Sequence, residues 1–267
     1  MNRTTRNYSV CYFASWLQLA VMFVALLVGA GVTSDGRTAS PAGAKILVYG
    51  STGRVGSRVV NEALRRGYHV TAVSRDPARV TQQHNNLSAV KGDIVEPESV
   101  VQLVTGQDVI VVSVRGSVDD SRDPDKAVQR VAAEVLVEVL RGMGDSAPRL
   151  IYVGGSGSLE VEPGVLYADS MPRFMRFVMP RSLRQEISGH ILTLEYLRTV
   201  DDVRWTYISP TRNFEPGERT GIYRIGGDLM LEDENGRSSI SMEDFSIALI
   251  DEVENCEYVG RRFSVAY

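Results

Sequence analysis

The chain is poor in the residues from which metal centres and covalent frameworks are built. Its two cysteines, Cys11 and Cys256, cannot assemble a disulfide lattice or a cysteine-rich metal site. The three histidines, His69, His84 and His190, show no ligand spacing. A net charge of -4 leaves no basic footprint, which argues against nucleic acid as a partner. No 20–50-residue period breaks up the sequence, so solenoid and propeller architectures are set aside. Between Arg6 and Asp35 charge itself is absent.

That uncharged gap contains the apolar run Phe13 to Val28, which with Gly29 to Val32 reaches the length a bilayer requires. Two readings follow. Residues 13–32 are either a cleaved export signal, with Val28-Gly29-Ala30 as the small-residue site, or an uncleaved membrane anchor, with Arg3 and Arg6 held inside and the rest emerging beyond. A membrane-anchored, secreted or organellar location is therefore expected, a wrongly chosen start codon being the other account of the run. Residues 1–33 read as this segment, 34–44 as a polar linker and 45–267 as one folded domain.

What the remainder does contain begins at Lys45 to Gly56, K-I-L-V-Y-G-S-T-G-R-V-G. Ile46 to Tyr49 has the apolar, β-branched character of a buried parallel strand. Gly50, Gly53 and Gly56 then form a turn, and Val55, Val59 and Ala63 mark one face of a helix that ends at Gly67. Glycine permits a tight turn and a close backbone approach, while the opening helix aims unpaired N–H groups and a partial positive charge outward. A second strand, His69 to Ser74, completes a βαβ unit. The arrangement predicts a doubly wound Rossmann fold, with a mostly parallel sheet, whose turn Gly50, Ser51, Thr52, Gly53, Arg54, Val55 and Gly56 holds a dinucleotide pyrophosphate.

The later chain supplies the other parts of such a site. Ser74 and Arg75 stand where a carboxylate would select NAD(H). An arginine there pairs with the 2′-phosphate of NADP(H), so NADP(H) is expected over NAD(H). Asp93, beside Ile94 after a third strand at Leu87 to Val90, is positioned to accept from the adenine amino group, or else only forms a turn. Asp108 to Ser113 is a fourth strand whose Ser113 passes the nicotinamide. Asp123 and Pro124 are read as N-cap and N1 of a long helix with Ala127, Val128, Val131, Val135 and Val139 facing the core. The fifth strand runs into Gly154-Gly155-Ser156-Gly157-Ser158. There Gly154 and Gly155 admit the nicotinamide, and Ser156 or Ser158 offers a hydroxyl to a substrate oxygen. Glu160 to Pro180, carrying Leu166, Met171, Phe174, Met175 and Phe177, reads as a lid or pocket wall, or as a loop fastened to the core. A helix from Ser182 to Thr199 and a strand from Trp205 to Pro210 follow, with Thr211 to Gly221 as a further cleft loop. Asn235-Gly236 suggests a hairpin, and Ser241 with Asp244 a capping box.

Taken together, Gly50 to Gly56, Gly92-Asp93, Val153 to Leu159, Trp205 to Pro210, Phe214 to Gly221 and Ser241 to Asp244 resemble the short-chain dehydrogenase/reductase superfamily in its atypical branch. The resemblance is to the NADH-flavin-reductase-like NAD(P)H-binding proteins, kin of the flavin/biliverdin reductases and NmrA-like regulators, over Lys45 to Tyr267. Standard members of the superfamily protonate a carbonyl oxygen with a tyrosine assisted by a lysine four residues on. No Tyr-x-x-x-Lys pair exists here: Tyr167 is followed at that spacing by Met171 and Tyr196 by Val200. The resemblance therefore implies hydride transfer from NADPH to a flavin- or quinone-like acceptor, with the proton drawn from water and the rate supplied by ring placement. An NmrA-like protein that senses NADP(H) without chemistry is the alternative.

Overall fold

The computed structural model of the protein describes residues 43–120 and 123–267. The apolar run 13–32, Cys11 and most of the linker lie outside the described residues. Among the described residues, no helix is long and apolar enough to cross a membrane.

Among the described residues, twelve strands and seven helices follow one another along the chain. They run β1 (Lys45–Tyr49), α1 (Gly56–Arg65), β2 (His69–Ser74), β3 (Leu87–Lys91), α2 (Pro97–Val104), β4 (Val109–Val112), α3 (Val128–Met143), β5 (Arg149–Val153), β6 (Glu160–Glu162) and β7 (Val165–Leu166). After these come α4 (Tyr167–Ser170), α5 (Arg173–Val178), α6 (Arg181–Arg198), β8 (Trp205–Pro210), β9 (Asn213–Glu215), β10 (Arg224–Gly226), β11 (Ser239–Ser241), α7 (Met242–Asn255) and β12 (Arg261–Ala266). Eight strands form one sheet in the order β10-β12-β8-β5-β4-β1-β2-β3. All neighbours run parallel except β10, which lies antiparallel on the β12 edge. This is a Rossmann-like α/β fold, and the order in which strands are added reverses between β1 and β4, where such sheets open a ligand crevice.

Strand periodicity explains the two layers. Successive side chains point to opposite faces, so Ile46 and Val48 pack with Val59, Val60, Ala63, Phe245 and Leu249 of α1 and α7. Leu47 and Tyr49 pack instead with Val100, Leu136, Leu140, Leu194 and Leu197 of α2, α3 and α6. Both faces are apolar because both are covered. Each such fully buried aliphatic side chain contributes about 1.5–3 kcal/mol.

Four expectations are corrected. Asp123 caps a separate single turn, Pro124–Lys126, by accepting from Asp125 N, and α3 starts only at Val128. The core face of α3 is Ala132, Ala133, Leu136, Val137 and Leu140, while Val128, Val131, Val135 and Val139 border it half-buried. A helix apolar around more than half its circumference offers two stripes, and here the second packs half-buried against the core that the first enters. Asn235-Gly236 forms a turn, with Gly236 at φ +69, yet no hairpin: β10 pairs with β12 and β11 with β9. Of the apolar residues of 160–180, Phe174, Met175 and Phe177 are not fastened to the core, being 69%, 45% and 85% exposed, while Leu166 and Met171 are half-buried.

Candidate active site

The turn after β1 is held by its own backbone. Gly53 N donates to Gly50 O at 2.9 Å, and Gly50 adopts φ +76. A Cβ on Gly50 would lie 2.1 Å from Ser113 O, and one on Gly56 2.2 Å from Gly50 O, so both positions exclude any side chain. Ser51 is buried and donates to Val73 O at 2.8 Å, tying the turn to β2. The N-terminus of α1 carries no side-chain cap and no acid in its first turn. Ser57 N and Arg58 N are already bonded to Gly53 O and Val55 O, so what this end offers an anion such as a dinucleotide pyrophosphate is its dipole, unopposed by any acid, and the close approach its glycines allow.

From this turn a cleft of about 610 Å³ extends along the carboxyl ends of β4, β5 and β8. Gly53, Arg54 and Val55 line it at one end; Ser113, Gly154, Gly155 and Ser156 line its floor; Glu186, Ile187 and His190 of α6 form a wall. Thr211 to Glu215, from the loop after β8, close another side. Thus Gly53, Arg54, Val55, Ser113, Gly154, Gly155 and Ser156 meet around one space, with Gly50, Ser51 and Gly56 packed in the turn beneath. Ser74, Arg75, Asp93 and Ile94 do not line this cleft; they follow the neighbouring ends of β2 and β3, where Gly92 N donates to Ser74 O.

Several of these residues have duties the sequence did not disclose. Asp93 forms a turn, its carboxylate accepting from Val95 N at 3.2 Å. Ser158 is separated from Ser156: it is buried, donates to Gly155 O at 3.1 Å and does not line the cleft. The glycine-rich loop is required by packing. A Cβ on Gly154 would meet the Tyr207 ring at 2.1 Å, and one on Gly157 would meet Ile187 at 2.6 Å. No residue of 160–180 lines the cleft, so that segment is not its wall. The capping box of α7 is half formed, because Ser241 Oγ accepts from Asp244 N while Ser241 N turns to the Tyr267 hydroxyl.

Sequence reasoning missed the two titratable groups of the α6 wall. His190 is 8% exposed and its Nδ1 has no hydrogen-bond partner. Burial pushes its pKa down to about 4, so the imidazole is neutral at physiological pH. Glu186, one helical turn earlier, is raised above the ordinary glutamate value by burial, against the opposing pull of Arg115 at 3.9 Å. The signal was present as an i, i+4 pair, but only the placement of α6 shows which way it faces.

Comparison with known proteins agrees with this architecture. The NAD(P)H-binding family profile matches residues 50–255. The chain belongs to this NAD(P)H-binding family. It is 30% identical over 223 residues to the uncharacterized protein YwnB of Bacillus subtilis, covering 83% of this chain and 97% of that one. Among solved structures it is similar to a Burkholderia pseudomallei protein provisionally named as exported, at 35% identity and TM-score 0.70, covering 84% of this chain and 100% of the other. It is likewise similar to SP1627 of Streptococcus pneumoniae, provisionally named an NADH-flavin reductase, at 26% identity and TM-score 0.67, covering 84% and 99%. The fold and cofactor class of this NAD(P)H-binding family member are those that the Gly50 to Gly56 turn implied.

Proposed function

We propose that the protein is an NADPH-dependent oxidoreductase of flavin-reductase-like kind, reducing a conjugated acceptor such as a flavin or a quinone. The observation that carries this reading is the continuity of the cleft: one space of about 610 Å³ joins the N-terminal turn of α1 to Gly154–Ser156 and α6. A redox ring and a flat acceptor can then lie side by side away from water. The similarity to SP1627 supports the acceptor class.

In this reading Gly50 to Gly56, with Ser51, Thr52, Arg54 and Val55, hold the pyrophosphate. Ser74 and Arg75 take the 2′-phosphate and select NADP(H); Arg75 is exposed and makes no ion pair among the described residues, so its planar donor fork is open to a phosphate. Asp93 and Ile94 border the adenine, Ser113, Gly154 and Gly155 the nicotinamide, and Ser156 faces the acceptor. The cofactor, when bound, supplies a hydride. The protein's part is to orient the two rings and keep the floor dry, through the packed Gly154–Gly155 backbone and the apolar Ile187 and Phe214.

The test is NADPH oxidation by the full-length protein, kept in mild detergent and offered free flavins and quinones. Turnover with at least one acceptor is expected. Normal NADPH binding with no turnover across the panel would instead make it a nucleotide-sensing binding protein. Anchoring or export through residues 13–32 belongs to the same reading and is tested by the N-terminus of the mature chain.

A further inference from the structure

The ionisable residues lining the cleft are Arg54, Arg115, Glu186, His190, Arg212 and Glu215. Three of them are occupied. Arg54 pairs with Glu215 at 2.5 Å, and Arg212 pairs with Glu232 at 2.5 Å while lying over the Tyr167 ring. Arg115 is 72% exposed and only reaches to 3.9 Å of Glu186. On α3, which packs against α6, Arg130 pairs with Glu134 and covers Tyr196, and Gln129 donates to the Glu186 backbone carbonyl rather than to its carboxyl. Glu186 and His190 are thus the acid and the imidazole left facing the space. Four residues apart on a helix, their Cβ atoms are about 5–6 Å from each other. The imidazole edge lies against Gly155, where a Cβ would come within 3.1 Å of His190 Cδ2. His190 is buried, and its Nδ1, itself enclosed, is bonded to nothing.

We propose that Glu186 is the proton donor of this cleft and that His190 is the neutral hydrogen-bonding group that holds the acceptor's heteroatom beside it. The proposal rests on the oxidoreductase reading above and adds the general acid that reading lacks. The acceptor is a conjugated molecule with a carbonyl oxygen or ring nitrogen that gains a proton as another of its atoms gains hydride. In the step, the Glu186 O–H bond breaks and the heteroatom–H bond forms. The O–H electron pair stays on the carboxylate, facing Arg115, and the carboxylate regains its proton from solvent at the open mouth. The hydride brings the two reducing electrons from NADPH, so acceptor, NADPH and one proton give reduced acceptor and NADP⁺. Burial favours the protonated carboxyl in which Glu186 starts, and holds the imidazole uncharged, with one nitrogen to donate and one to accept.

The deciding variant is Glu186→Gln, assayed in the full-length protein with 1,4-naphthoquinone and with FMN. NADPH affinity, read by fluorescence titration, stays within about twofold of wild type. The kcat/KM for the quinone falls by about 10²-fold, within the range a positioned general acid supplies. Wild-type kcat/KM declines as pH rises through the Glu186 pKa, and the variant loses that decline. Independently of turnover, difference infrared titration of the cofactor-free protein shows a carboxyl band titrating above the ordinary glutamate value, about 4.3, and absent from the variant. His190→Leu raises the acceptor KM about tenfold, the worth of one hydrogen bond, with NADPH affinity unchanged. Wild-type kinetics and pH profile in Glu186→Gln, or a Glu186 band titrating at the ordinary value, overturn the proton-donor role and leave the oxidoreductase reading standing. An unchanged KM in His190→Leu overturns the holding role. Absence of turnover in the wild type with every acceptor overturns both readings together.

Discussion

Between Gly50 and Gly56 the cleft is bounded by backbone, and the side chains there serve other ends: Ser51 holds the Val73 carbonyl and Arg54 pairs with Glu215. Along α6 it is bounded by side chains, Glu186, Ile187 and His190, on a helix whose backbone is already satisfied. A site made of backbone cannot be altered without altering the fold that shapes it. A site made of side chains can change its chemistry while the fold stands. The same contrast separates two glutamates that burial raises. Glu252 accepts from Thr206, Glu257 N and Tyr258 N and is paired with Arg149, so its environment is complete and its role structural. Glu186 has one loose arginine beside it and open space in front.

The strongest test of that difference is Gly56→Ala. The added methyl would meet the Gly50 carbonyl oxygen at 2.2 Å and its carbon at 2.8 Å, both backbone atoms that cannot yield. A stability loss of at least about 3 kcal/mol in urea unfolding is expected, together with loss of NADPH binding. A variant with wild-type midpoint and affinity would show that this turn is less rigidly specified than its geometry demands. Gly53→Val divides the two consequences. At Gly53 a Cβ meets only Gly50 O, at 3.1 Å rather than 2.2 Å, so the stability loss should be clearly smaller than that of Gly56→Ala. The branched side chain would still stand where the pyrophosphate approaches, and affinity for NADPH and NADH should fall together by at least about 10²-fold. Binding retained by this variant would move the cofactor site elsewhere.

Arg75→Glu probes a side chain at the edge of the backbone-built half. It should weaken NADPH by about 10²-fold, the loss of a charge-assisted pair plus a new repulsion, and leave NADH within a few-fold. Equal losses for both cofactors would remove Arg75 from the 2′-phosphate.

Legibility followed the same division. Ile46 to Tyr49, the three glycines and Gly67 are local signals, readable because each glycine marks a backbone conformation and each strand face an apolar period. The β2 and β8 strands were readable for the same reason. The valine stripe of α3 misled because β-branched residues at 128, 131, 135 and 139 keep helical register as well as Ala132, Leu136 and Leu140 do. Choosing between them required the packing of α3 against the sheet and α6. Asn235-Gly236 announced a turn correctly, but which strands its flanks join is a long-range matter that no dipeptide encodes. Glu186 and His190 are not legible in the sequence because the Tyr-x-x-x-Lys spacing of the superfamily does not mark an acid and an imidazole. A helix face turned to a cleft is a property of the assembled sheet, and an acid and an imidazole on it look, in the sequence alone, like any solvated pair.

The loop after β8 stands between the two kinds of construction, since its backbone is held in place by side chains at the start of α7, chiefly Asp244. Asp244, at the start of α7, accepts from Thr220 N, Gly221 N, the Thr220 hydroxyl and the Tyr267 hydroxyl, while its neighbour Glu243 accepts from Gly217 N and Arg58. Burial alone would raise the Asp244 pKa, but the bonds from Thr220, Gly221 and Tyr267 outweigh it and leave the carboxyl below the ordinary aspartate value. A carboxyl lowered on folding contributes stability that is complete above its unfolded pKa, about 3.9, and is lost as pH falls through the folded value. Asp244→Asn keeps the shape and removes the charge, so at pH 7 it should be less stable than wild type by about 1–2 kcal/mol. The gap should close as both proteins are taken into acid, because wild type then loses the charge too. Parallel stability curves down to the foot of the acid limb would mean that the loop is fixed by its backbone alone, and would place it with the Gly50–Gly56 turn rather than with the α6 wall.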